Sequence, residues 1–228
     1  MRHATAAAIA AIAAGLVAIV PAPAASRAAH GARPAGPAPA RGRSCLPPRA
    51  RVLARNSSLG IYETRPASPG APRGILACVA GHSGHMTLLA ATRLNARTSL
   101  RSFELAGRVA AYLETQFGVD AGTTKLVVVD VGARRVLHSI QAGSYSAVGL
   151  TTREDVSRFF VTARGAVAWS ATREEHRRPV GAAVFAAPRE GRPAPLDSGP
   201  AIDAASLALS GATLTWTDGG VQRTAPIP

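Results

Sequence analysis

From about Arg49 onward, short runs of β-branched and aromatic residues alternate with Gly, Pro and Asp, and no long 3.6-residue apolar pattern appears. Three stretches in this region rhyme: FELAGRVAAYLE (103–114), FFVTARGAVAWSAT (159–172) and SLALSGATLTWTDGG (206–220). Each opens with apolar residues at alternate positions: Phe103 and Leu105, Phe159 and Val161, Leu207 and Leu209. A glycine comes next (Gly107, Gly165 or Gly211), then a second apolar run carrying one large aromatic, Tyr112, Trp169 or Trp216. The pattern predicts a strand, a tight reversal eased by glycine, and a partner strand whose ring covers one face of the sheet. The ring comes five residues after Gly107 and Gly211 but four after Gly165, which predicts a different turn or a bulge at the middle copy. A fainter copy, RVLARNSSLGIYE (51–63), places a turn at Asn56-Ser57-Ser58 and its ring at Tyr62.

The stretches after the aromatics rhyme as well. TTKLVVVDVGARRVLHSI (123–140) reads as strand, Asp130-Val131-Gly132 turn and returning strand. GAAVFAAPREGRPAPLD (181–197) repeats this around Pro188-Arg189-Glu190-Gly191, and GILACVAGHSGHMTLL (74–89) holds the same place after Tyr62. The expected unit is therefore two successive hairpins, recurring over about 49–92, 99–142, 155–198 and a shortened 203–228, with RLNARTSLR (93–101) as a connection. The turn glycines are 58 and 46 residues apart, near the ~40–50 of a propeller blade. The expected fold is all-β: repeated four-stranded antiparallel units in a small or incomplete propeller-like body, with a β-sandwich as the alternative.

This texture, one aromatic per strand–turn–strand unit over most of 50–228, resembles bacterial secreted β-propeller repeats of the broad TolB-like and WD-like kind. It also resembles uncharacterised exported proteins of GC-rich actinobacteria. The resemblance implies a rigid body that carries any ligand surface on its inter-strand loops.

The residues before Arg49 change the picture of where the chain goes. Arg2 and His3, an apolar stretch from Ala6 to Val20, and Ala22-Pro23-Ala24 stand in the order of a secretory signal, expected over 1–24 with no transmembrane segment left after cleavage. Residues 25–48, rich in Pro, Ala, Gly and Arg, read as a flexible linker without a core of its own. Export to an oxidising exterior makes the two cysteines, Cys45 and Cys78, an expected disulfide. On the chain-entropy model that bridge stabilises by ~3–4 kcal/mol. Eight arginines and no acidic residue precede Glu63, so +8 of the net +13 charge lies there and +5 on the remainder. Lys125 is the only lysine, and so strong a bias toward Arg beside abundant Ala, Gly and Pro points to coding composition rather than to nucleic-acid recognition.

Candidate chemistry is sparse. Gly81-His82-Ser83-Gly84-His85 approaches the nucleophile elbow G-x-S-x-G but ends on His85 instead of glycine. An elbow needs a following helix and a supporting acid and histidine, and His138 and His176 lie downstream without such context, so Ser83 is expected to be a turn residue. His82 and His85, with His176 and Glu174 or Glu175, lack a third ligand at metal spacing. The run Arg173-Glu174-Glu175-His176-Arg177-Arg178 reads as a solvated loop, Asp130 and Asp218 as turn formers, and Tyr62, Tyr112, Trp169 and Trp216 as repeat-core aromatics. No phosphate-binding loop, dinucleotide fingerprint or H-E-x-x-H occurs, and no catalytic residue, metal or cofactor is assigned. The expected protein is an exported, non-catalytic scaffold or binding module of the envelope or exterior. Its partner would be a protein or envelope polymer met through loops or the basic arm, with no specific nucleic-acid binding. The alternatives are a loop-based hydrolase or lyase on the same body, and an Arg-rich arm that binds anionic envelope polymer.

Overall fold

The computed structural model describes residues 49–64, 73–82, 84–89, 98–146 and 152–228. The expected signal and linker, Cys45 and Ser83 lie outside the described residues. The described residues form strands joined by turns, all pairs being antiparallel. Among the described residues no helix is long and apolar enough to cross a membrane.

The first sheet is a four-stranded meander of β1 (Arg51–Arg55), β2 (Leu59–Glu63), β3 (Ile75–Val79) and β4 (His85–Leu89). β5 (Thr98–Ala106), β6 (Val109–Phe117), β7 (Ala121–Asp130) and β8 (Arg135–Ser146) form a second meander. β9 (Thr152–Val161), β10 (Val167–Glu175), β11 (Arg178–Ala187) and β12 (Ala194–Gly199) form a third. These two quartets share one eight-stranded sheet, because β8 pairs with β9 at Ser144↔Glu154, Tyr145↔Arg153 and Ser146↔Thr152. The last sheet has three strands: β13 (Ile202–Ser210), β14 (Thr213–Asp218) and β15 (Val221–Pro226). No sheet among the described residues closes on itself, so the fold is all-β in antiparallel sheets and a closed propeller is not seen.

Three apolar clusters account for the sequence pattern. One joins Leu59, Ile61, Ile75 and Ala77 to Ala110, Tyr112, Val127 and Val129. The next joins Ala111, Leu113, Leu126 and Val128 to Val156, Phe159, Trp169 and Ala171. A third joins Ala166, Ala168, Val184 and Ala186 to Leu207, Leu214 and Trp216. Strands β6 and β10 therefore serve a cluster on each face, and successive side chains along a strand point to opposite faces. That is why VAAYL (109–113) and AVAWS (166–170) are buried without interruption, where a one-sided strand would alternate.

The turns obey local chemistry. Gly107 and Gly211, at φ 57° and 60°, open two-residue loops between Ala106↔Val109 and Ser210↔Thr213. The middle copy is longer: the Thr162 carbonyl accepts the Gly165 amide, the Thr162 amide donates to the Ala166 carbonyl, and the Thr162 hydroxyl accepts the Ala166 amide. This longer loop is the expected irregularity, and it explains why Trp169 follows its glycine by four residues rather than five. Asn56 Oδ1 accepts the amides of Ser58 and Leu59 at 2.8 and 2.7 Å and makes the β1–β2 turn.

Candidate functional site

The eight-stranded sheet bends where β8 gives way to β9. Strand β9 hydrogen-bonds to β8 over only three residue pairs, yet it also lies against β5, β6 and β7. Gly143 permits the close crossing, since a Cβ there would stand 2.5 Å from the carbonyl oxygen of Glu154. Among the polar strand ends beyond the apolar cluster opens a cleft of about 700 Å³. That volume falls in the range of small-ligand sites.

The floor of the cleft is hydroxylic. Thr115 on β6 and Thr124 on β7 are both buried, and their hydroxyl oxygens lie 3.1 Å apart in a mutual hydrogen bond. Beside them Tyr145 packs flat over Gly122 and donates its phenol to the Gly118 carbonyl at 3.3 Å. Phe117, 43% exposed, adds a ring at the rim. Charged groups line the walls: Arg101 from β5, Arg153, Glu154 and Asp155 from β9, Glu174 from β10, and Arg177. Arg153 pairs with Asp155. Arg101, Arg177, Glu154 and Glu174 form no ion pair among the described residues, so their charges are open to a ligand.

Arg177 reaches the cleft from a strained place. His176 and Arg177 occupy the two-residue loop between Glu175 and Arg178 with φ of 52° and 62°. Positive φ at both central positions is the hairpin geometry that matches strand twist, and Asn-Gly would satisfy it with less strain than His-Arg. The charge run expected to be a solvated loop is thus a tight hairpin, with Arg173, Glu174 and Glu175 inside β10 and Arg178 opening β11. Arg173 pairs with Glu175, two residues along the same strand, at 2.6 Å.

The remaining sequence candidates scatter. His82 is exposed in the turn after β3, with Nδ1 3.2 Å from the Ala80 carbonyl, and His85 starts β4 opposite Cys78. Because β3 leads through this turn into an antiparallel strand, the segment lacks the helix a nucleophile elbow requires. Among the described residues no three His, Cys, Asp or Glu side chains gather as metal ligands. Asp130 accepts the Ala133 amide at 2.9 Å and Asp218 pairs with Arg223 at 3.2 Å, each beside its turn. Tyr62, Tyr112, Trp169 and Trp216 are all buried, each on the second strand of its sheet or quartet. Cys78 is buried on β3; its expected partner, Cys45, lies outside the described residues.

Two interior groups titrate abnormally. Burial lowers the pKa of His138 below 6.5, opposed by the nearby carbonyls of Pro188 and Gly165, and its Nε2 is buried without a hydrogen-bond partner. Burial pushes the Tyr112 phenol up to about 12, and the charge of Glu114 adds to the rise. Neither lines the cleft.

No protein-family model matches the chain, and no curated protein matches it significantly. The cleft residues are hard to see in the sequence because they sit on polar strand ends such as QAGSYS (141–146) and TRED (152–155), where apolar alternation has stopped. The one signal there is Tyr145, an isolated aromatic in a Gly/Ser stretch.

Proposed function

We propose that the protein is an exported, non-catalytic β-repeat binding module whose ligand enters the cleft at the β8–β9 bend. The observation that carries this reading is the wall chemistry. Two arginines and two glutamates without ion-pair partners among the described residues, a ring at the rim and a hydroxylic floor stand on hydrogen-bonded strands and, for Arg177, on the tight hairpin that joins two of them. Such a site suits a hydroxyl-rich ligand with some charge, such as an envelope oligosaccharide: rings take the flat sugar face, and charged groups and hydroxyls take its polar edge. Export rests on the order of basic, apolar and small-residue stretches in 1–24.

The propeller-like arrangement belongs to this proposal. Its support is that each apolar cluster joins one strand group to the next in chain order, as neighbouring blades do. A sandwich-like packing of the same sheets is equally compatible with the clusters. In either case the sheets supply the rigid walls on which the cleft groups stand.

Titration of the secreted protein with a panel of neutral and carboxylated oligosaccharides tests the reading. Binding of at least one carboxylated member, weakened about tenfold or more by Arg177→Ala without change in fold, supports it. Turnover of a bound oligosaccharide would favour a hydrolase or lyase, and binding lost only on removal of 25–48 would favour the basic arm.

A further inference from the structure

The rings obey a rule of direction. Tyr112 packs into the cluster shared with β1–β4, Trp169 into that shared with β6–β8, and Trp216 into that shared with β10 and β11. Each ring on a second strand thus faces the strand group that precedes it in the chain. Tyr62 holds the same position in the first sheet, but it pairs with Val52 and Leu76 on the face opposite to Ile61, which serves the cluster with β6 and β7. No described strand group packs there.

That face nevertheless has the character of an interior. Tyr62 and Leu76 are each 9% exposed and Cys78 4%, although none belongs to the three apolar clusters. The register shows what they correspond to: Tyr62↔Leu76 and Gly60↔Cys78 match Tyr112↔Val127 and Ala110↔Val129 of the next quartet, where all four residues are core. The far end of the chain behaves differently. On the outer side of β13–β15, Thr213, Thr215 and Thr217 stand beside Gln222 and Thr224, none of them buried. A polar terminal face of this kind caps a stack of repeats and offers no apolar surface for ring closure.

We infer that the outer face of β1–β4 is covered by the chain's own residues 41–48, RGRSCLPP, anchored by Cys45 to Cys78. The segment leads directly into Arg49, whose φ of 61° turns the chain just before edge strand β1. Cys78 lies two strands across from β1 and three positions along from Arg51, about 14 Å away at ordinary strand spacing. The six residues from Cys45 to Arg51 span about 20 Å when extended, so the reach suffices. Leu46, Pro47 and Pro48 supply apolar cover and, for the prolines, no backbone donors to bury. The inference is independent of what the cleft binds.

A photo-cross-linking residue at Val52 in the full secreted chain tests it, since Val52 is 52% exposed and pairs with Tyr62 on this face. A second attachment at Thr87, opposite Leu76, guards against a misfolded variant. Mapping by mass spectrometry is expected to place the main product within 41–48 of the same chain from both sites. Main products with a second copy, with β13–β15, or with no part of 41–48 would overturn the inference.

Discussion

The ring of Tyr145 lies over Gly122, its cross-strand partner, in the space that a side chain at position 122 would need. The glycine is the reason the ring can lie flat along the cleft wall and reach the Gly118 carbonyl. Gly122→Ala is expected to destabilise by ~1–3 kcal/mol through overpacking and to weaken cleft binding. Gly211→Ala is the control: nothing stands within 4 Å of its Cβ, so its loss should come from the positive φ alone. That loss is ~1–2 kcal/mol, with cleft binding unchanged. Chemical denaturation and ligand titration of the two variants check both halves.

Trp169 stacks on Phe185 with ring centroids 5.0 Å apart, and Trp216 donates Nε1–H to Asp197 at 2.8 Å. Truncating either tryptophan to alanine should destabilise by ~3–5 kcal/mol. Asp197→Ala should lose ~1–3 kcal/mol, because it strands a shielded indole donor. Urea midpoints for the three variants measure this, and a negligible loss at Trp169 would contradict its place in the middle cluster.

His138 makes stability depend on pH. Its folded pKa lies below the unfolded value of 6.5, so above that pH both states are neutral and the full stability is present. As pH falls through about 6.5 the unfolded chain takes up a proton that the folded one resists, and stability declines toward the folded pKa. Denaturation between pH 8 and pH 5 should show this decline, and His138→Phe should flatten it.

The Tyr112 phenol should ionise near pH 12. Absorbance titration of the phenolate, repeated on Tyr112→Phe, identifies the step. Its disappearance from the high-pH limb is the expected result.

The legible part of the fold was the part set by apolar burial and turn chemistry. Gly107, Gly211 and Asn56 marked reversals because the backbone there needs positive φ or a side-chain acceptor. The four aromatics marked second strands because each is a large ring buried on its strand. Where strands outrun the core, the same signals fall silent. Thr98–Arg101, which the sequence pattern assigns to a connection, is the start of β5, and Thr152–Asp155 is the polar start of β9. The bend beside the cleft depends on Gly143 meeting the Glu154 backbone, a contact between strands that no local pattern encodes. The merging of two quartets into one sheet was invisible for the same reason, since it rests on three pairs at those polar ends.

The most direct test of the binding account is calorimetric titration of the intact secreted protein with the carboxylated oligosaccharides, set beside Arg101→Ala, Phe117→Ala and Arg177→Ala. Saturable binding in the parent, weakened about tenfold or more in each variant with thermal midpoints unchanged, is the expected result; equal affinity in parent and variants, or no binding at all, would contradict it.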